Sequence, residues 1–307
     1  MGYSAAVATP YGPLAPAVDH HQHLFSPATA RLISVEAVDA GALIGHLDDA
    51  GIARAVVLSV AYTFGSPNRT VEREYDQVRA TNDWTSRQVE AYPDRLRGFG
   101  GLNPLRDYAL EELARCAQDP HLRFGLKLHF GNSVVDYHDR QHLAQVQRVF
   151  RAANGYGMAI VVHMRASISR RLPYGRDEAR IFVEELLPTA PDVPVQIAHL
   201  AGAGGYLADP PVDQALAVFV EAIANRDPRT RLLLFDVTDA VNPTAPPEEL
   251  ALIARRIREL GVERVLYGSD GPGPGHTPRE GWAAFRRLPL SEGEFRTIAG
   301  AVAPYMR

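Results

Sequence analysis

The sequence predicts a single (β/α)8 TIM barrel, and three observations carry that expectation. Apolar runs of strand length alternate with helical patterns eight times along the 307 residues. No Pro-rich or low-complexity stretch divides the chain, so residues 1–307 read as one domain. The first strand-to-helix turn lacks the glycine fingerprint of a nucleotide site, which disfavours an open doubly wound sheet.

The elements follow in order. The first strand approaches through Ala15, Ala17 and Val18, enters Asp19-His20-His21-Gln22-His23, and stops at Ser26-Pro27. Val35 to Ala50 carries Val38, Leu43, Ile44 and Leu47 at helical spacing, and Gly51 ends it. Arg54 to Val60 is a continuous apolar run, as a strand covered on both faces requires. The loop Tyr62 to Thr70 holds Gly65, Pro67 and Asn68, and a helix from Val71 to Ala91 ends at Tyr92-Pro93. A glycine-rich third strand, Leu96 to Leu102, is followed by Asn103-Pro104 and a helix from Leu105 to Ala117. Phe124 to Phe130 is the fourth strand, and Arg140 to Asn154 sets Leu143, Val146, Val149, Phe150 and Ala153 on one helical face. The remaining strands are Met158 to His163, Val193 to His199, Arg231 to Thr238 and Val262 to Tyr267. Helices at Arg176 to Leu187, Val212 to Asn225 and Glu248 to Leu260 separate them, and the C-terminal region is helical with a break near Pro289.

Composition narrows the function. Hydrophobic residues make up 46% and charged residues 22%, the profile of a soluble globular protein with an adequate core. A net charge of −4 without a basic run favours neither nucleic acid nor an anionic membrane. The single cysteine, Cys116, excludes an internal disulfide and a thiolate metal cluster, and its helical setting reads as a buried structural thiol. No apolar run approaches membrane-spanning length. Met1 to Pro16 lacks the pattern of a secretory signal, so the expected location is cytoplasmic, with a processed exported form left open. The expected partner is a small-molecule substrate; assembly as a homodimer is allowed.

Chemistry enters at the strand ends. Asp19, His21 and His23 alternate on one face of the first strand, and two imidazoles two residues apart can hold one divalent cation. Lys127 and His129 end the fourth strand, His163 the fifth and His199 the sixth, and Asp270 follows the eighth in Gly268-Ser269-Asp270. Buried groups of this kind cost stability unless paired or bound to metal. In a barrel of this class these positions share one mouth, at the C-terminal ends of the strands. Arg165 lies two residues beyond His163, with Arg170 and Arg171 next in the loop and Tyr174 behind. An arginine there suits a substrate carboxylate. Tyr62, Asn103 and His129 are further candidates for substrate contact, by position alone.

The set Asp19-x-His21-x-His23, Gly125-Leu126-Lys127-Leu128-His129, Val162-His163, Ala198-His199-Leu200-Ala201-Gly202 and Gly268-Ser269-Asp270 resembles the amidohydrolase superfamily. Within it the likeness is to the amidohydrolase-2 branch, which includes aminocarboxymuconate semialdehyde decarboxylase. The resemblance implies that His21, His23, His163 and Asp270 hold one catalytic divalent metal, commonly zinc with manganese as an alternative. It also implies that His199 and Asp270 act on water or substrate. Lys127 keeps a two-metal reading open, since in some amidohydrolases a carbamylated lysine there bridges two ions. Asp19 is expected either to orient a histidine ligand or to be a buried carboxylate pairing with backbone or with a cation below the site, for which Lys127 is a candidate. Three functions follow: hydrolysis of an amide, ester or lactone; non-oxidative decarboxylation of an unsaturated or aromatic acid; and a non-catalytic barrel with a structural metal. The last fits poorly with a ligand set that lacks cysteine. Hydrolysis is the leading expectation and decarboxylation the alternative.

Overall fold

Eight strands follow one another around the sheet in sequence order, and every neighbouring pair is parallel. They are β1 (Val18–Gln22), β2 (Arg54–Leu58), β3 (Leu96–Gly101), β4 (Gly125–His129), β5 (Ala159–His163), β6 (Val195–Ile197), β7 (Leu233–Asp236) and β8 (Val265–Leu266). Backbone bonds join the first strand to the chain leaving the last: His20 N to Tyr267 O at 2.9 Å, Asp270 N to His21 O at 2.9 Å and His23 N to Gly271 O at 3.0 Å. The architecture is therefore the expected barrel. This computed structural model describes residues 14–165, 172–202, 206–271 and 277–307. Arg170 and Arg171 lie outside them.

The outer layer comprises α1 (Pro27–Ile33), α2 (Ala40–Ala50), α3 (Glu74–Glu90), α4 (Ala109–Gln118), α5 (Phe130–Ser133), α6 (Arg140–Gly155), α7 (Arg176–Ile181), α8 (Pro210–Ala224), α9 (Pro247–Leu260), α10 (Pro278–Phe285) and α11 (Glu292–Gly300). A π turn, Phe182–Leu186, prolongs α7. Several ends differ from the sequence reading for identifiable reasons. Helix α2 starts at Ala40 rather than Val35, because the Asp39 carboxylate caps it by accepting from Ala42 N at 2.9 Å, while Val38 bridges to Phe25. Helix α4 starts at Ala109 because Asn103 accepts from Leu105 N at 2.9 Å and makes a turn there. Strand β6 ends at Ile197, and the chain turns sharply with φ 58° at His199, 45° at Leu200 and 63° at Ala201.

Two apolar layers hold the barrel. Between sheet and helices lie Leu43, Leu47, Val57, Leu113, Leu128, Phe150, Ile160, Phe219, Phe235 and Ile253. Inside the lumen Val18, Val56, Leu58, Phe99, Val161 and Leu266 pack with Tyr305 and Met306. Each large side chain so buried contributes about 1.5–3 kcal/mol. The C-terminal turn Pro304–Met306 thus plugs the floor of the barrel. Arg97 donates to Tyr305 O at 2.6 Å and Arg54 to Met306 O at 2.9 Å, holding it there. Cys116 is buried on α4, as its pattern predicts. Among the described residues no helix is long and apolar enough to cross a membrane.

Candidate active site

Strand β1 delivers His21 and, one residue past its end, His23. Asp270 follows β8, and its Oδ1 stands 3.2 Å from His21 Nε2 and 3.3 Å from His23 Nε2. Ligand-type atoms of these three residues all lie within 4.8 Å of one another, and so do those of a second trio, His199, Asp239 and Asp270. Asp270 belongs to both. The His199 ring lies 4.9 Å from that of His21 and 4.9 Å from that of His163. His163 stacks on His129 at 4.0 Å and an interplanar angle of 16°, and Tyr62 stands 5.1 Å from His129. The structure therefore brings His21, His23, His163, His199, Asp270, His129 and Tyr62 into one mouth, although His163 belongs to neither trio.

Hydrogen-bond partners fix the imidazole protons. His21 Nδ1 faces Asp236 Oδ2 at 3.0 Å, His23 Nδ1 faces Leu58 O at 2.7 Å, and His199 Nδ1 faces Thr238 O at 3.1 Å. Carbonyl oxygens and an ionised carboxylate only accept, so each ring carries a proton on Nδ1, which makes Nε2 the bare nitrogen of the neutral ring. Bare nitrogens 3.2 and 3.3 Å from a carboxylate oxygen repel it unless a second proton or a cation lies between them. Burial and the Lys127 ammonium push the His21 pKa down to about 3, which closes the proton route for that ring at neutral pH. The donor set therefore fits a divalent cation.

Asp236 is the residue the sequence reading missed. Its Oδ2 accepts from His21 Nδ1 at 3.0 Å and from Gln196 Nε2 at 2.7 Å; its Oδ1 accepts from His199 N at 2.9 Å and Thr238 N at 3.2 Å. Burial works against its charge, but the His21 imidazole and the His199 backbone outweigh that and hold the carboxyl far below its usual range. Gln196 in turn accepts from the Tyr305 hydroxyl, so a chain of hydrogen bonds runs from the plugged floor to His21.

One expectation is corrected, the pairing of Lys127 with Asp19. Asp19 takes the second role expected of it, a buried carboxylate pairing with backbone, and does not pair with Lys127. Its Oδ1 accepts from His21 N at 3.1 Å and Ser269 N at 3.2 Å, and its Oδ2 from Gln22 Nε2 and Ser269 Oγ, each at 2.7 Å. The reason is a register irregularity in β1 between Asp19 and Gln22, which breaks the strict alternation of faces. Burial raises the Asp19 carboxyl to about 7. Lys127 instead donates from Nζ to His21 Nε2 at 3.0 Å, and burial lowers its pKa to about 8. Asn103 donates one amide N–H to Gly65 O at 2.7 Å while its oxygen accepts from Leu105 N at 2.9 Å.

Arg165 is buried beside Tyr174, pairs with Asp209, and leaves Nε without a partner. Backbone strain gathers at the mouth. Besides the turn at His199, Asp239 and Asp270 have φ of 52° and 61°, a region ordinary residues avoid. Gly268 lets the β8 end approach, since a Cβ there would meet Thr238 Oγ1 and come within 2.7 Å of His21 Cβ.

Comparison with known proteins agrees with this geometry. The structure is similar to 5-carboxyvanillate decarboxylase from Sphingomonas paucimobilis, with a TM-score of 0.63 and 16% identity over 93% of this chain and 97% of that one. It is similar also to a probable 2-pyrone-4,6-dicarboxylic acid hydrolase from Acinetobacter baumannii with citric acid bound, with a TM-score of 0.60 and 19% identity over 92% and 95% of the two chains. An amidohydrolase from Burkholderia multivorans with bound zinc aligns at a TM-score of 0.62 and 12% identity over 93% and 96%. Identities this low speak for the fold alone. No curated protein matches the sequence. The family model described as amidohydrolase, however, matches residues 18–301, from the strand that bears His21 and His23 past Asp270, and the chain belongs to the amidohydrolase family.

Proposed function

We propose that the protein is a metal-dependent hydrolase of an amide, ester or lactone bond in a small organic substrate. The carrying observation is the convergence of His21 Nε2, His23 Nε2 and Asp270 Oδ1, the oxygen standing 3.2 and 3.3 Å from the two nitrogens while each ring turns its Nδ1 to an acceptor. In this reading His21, His23 and Asp270 hold one divalent ion, zinc or manganese, with His163 as the fourth ligand that the family resemblance implies. Such an ion supplies Lewis acidity and a water of lowered pKa.

The chain's own residues do the rest. Asp236 and Leu58 O keep both imidazole protons on Nδ1, so the ligating nitrogens stay bare. Asp270 takes the proton released from water and returns it to the leaving group. His199, held by Thr238 O, has a bare Nε2 that accepts a hydrogen bond from water or substrate. Lys127 Nζ donates to His21 Nε2 at 3.0 Å and would be available to substrate were that nitrogen to serve the ion.

A second reading, non-oxidative decarboxylation of an unsaturated or aromatic acid, is favoured by the likeness to the Sphingomonas decarboxylase and uses the same ion and the same Asp270. The trio His199, Asp239 and Asp270 supports a second ion position as the variant site type. The test is metal analysis of the purified protein, then a panel of lactones, amides and aromatic acids assayed for acid and for carbon dioxide release, with and without a chelator. About one ion per chain and chelator-sensitive acid release support the hydrolase. Carbon dioxide release supports the alternative, and activity untouched by chelation refutes both.

A further inference from the structure

The mouth histidines do not all show the same atom to a ligand. His21, His23 and His199 turn Nδ1–H to acceptors and keep Nε2 bare. His129 is reversed. Its Nδ1 accepts from the backbone N–H of Asn132 at 3.0 Å and so caps α5. A backbone N–H can only donate, so His129 Nδ1 holds a lone pair and the proton of the neutral ring sits on Nε2. No described residue makes a hydrogen bond to its Nε2.

The ring cannot easily turn. It is stacked face to face on His163 at 4.0 Å and pinned at Nδ1 by the cap. Tyr62, 5.1 Å away, is likewise a donor: burial and the Asp270 charge raise its pKa, so it keeps its hydroxyl proton, and no described residue takes that proton. Lys127 lies two residues before His129 on β4 and so shares its face of the strand. The mouth thus has two halves, bare nitrogens and a carboxylate from β1, β6 and β8, and N–H and O–H donors from β2 and β4.

We propose that His129 Nε2–H is a substrate-binding group, donating to a carboxylate oxygen of the substrate, with Tyr62 and Lys127 beside it on the same donor half. This rests on the metal-dependent reading for the identity of the other half, and it narrows the substrate to an organic acid. A donor fixed before binding gives up little entropy when it engages an anionic oxygen, and a charged acceptor makes the bond a strong one.

The experiment uses the full chain labelled with 15N-histidine, read by long-range proton–nitrogen NMR, with benzoate as the probe. Expected is a neutral Nε2–H tautomer for His129, assigned by its loss in His129→Asn, against Nδ1–H for His21, His23 and His199. Benzoate should shift the His129 Nε2–H resonance, and His129→Asn should weaken benzoate binding about tenfold or more, the scale of one lost bond to a charged group. Asparagine retains the cap on α5, so the variant remains folded, and its zinc affinity should match that of the parent. An Nδ1–H tautomer at His129, a resonance unmoved by benzoate, or loss of zinc in His129→Asn overturns the proposal. Failure of the parent protein to bind zinc at all overturns the metal-dependent reading and leaves the tautomer result standing separately.

Discussion

Asp236→Asn is the sharpest single perturbation of this site. The carboxylate accepts four hydrogen bonds in full burial, two on each oxygen. An asparagine has one accepting oxygen and one amino group in the same volume, so whichever way it turns, two donors face an NH2. In one rotamer His21 and Gln196 are stranded, in the other His199 N and Thr238 N. Each lost bond to a charged group is worth about 1.5–3 kcal/mol, so the expected destabilisation is about 3–6 kcal/mol. At roughly 2 °C per kcal/mol for a domain of this size, the melting temperature should fall by about ten degrees. Metal affinity should fall about 10- to 100-fold, because the group that keeps His21 Nε2 bare has been lost. Thermal melts with and without zinc, and zinc titration on the same preparation, read both quantities. A variant that melts with the parent and binds zinc as tightly would refute the claim that Asp236 organises the site.

Other substitutions separate binding from chemistry. His163→Ala should lower metal content and activity together, whereas His199→Ala should retain the ion and slow turnover about a hundredfold or more, as measured by elemental analysis beside steady-state rates. Loss of metal in His199→Ala would make His199 a ligand and favour two ions. Asp270→Asn should keep appreciable metal when ion is supplied in excess while turnover falls steeply, since the amide cannot take a proton at neutral pH; near-normal turnover would leave Asp270 a ligand only. Burial and the nearby Glu112 hold the Cys116 thiol well above its usual range. Cys116 should therefore resist a thiol reagent at pH 8 in the folded protein and react on unfolding. Because the unfolded thiol ionises first, stability should decline as pH rises past about 9.

The barrel was legible because its signal is repeated eight times and local: apolar runs, helical spacing and glycine stops. The mouth histidines and Asp270 were legible because polar residues at the ends of buried strands stand out against their surroundings. The same rule, applied to β7, would have found Asp236, which ends Leu233–Asp236 as His163 ends β5. What hid it is that its partner His21 lies 215 positions away, and nothing near Asp236 marks that pairing.

The seam of the barrel carries a consequence for assembly. His21 and His23 stand on one side of the junction where the first strand meets the chain leaving β8, and Asp270 stands on the other, tied across by Asp270 N to His21 O at 2.9 Å. Nearly the whole polypeptide separates the two sides, so this contact closes a long loop and belongs to the late steps of folding. An ion held, as proposed, by His21, His23 and Asp270 would be a rivet through the joint between first stave and last. It binds the closed barrel and not the open one, and its stabilisation grows with the logarithm of its free concentration. The yield of folded protein should accordingly follow the zinc content of the medium in which the chain is made.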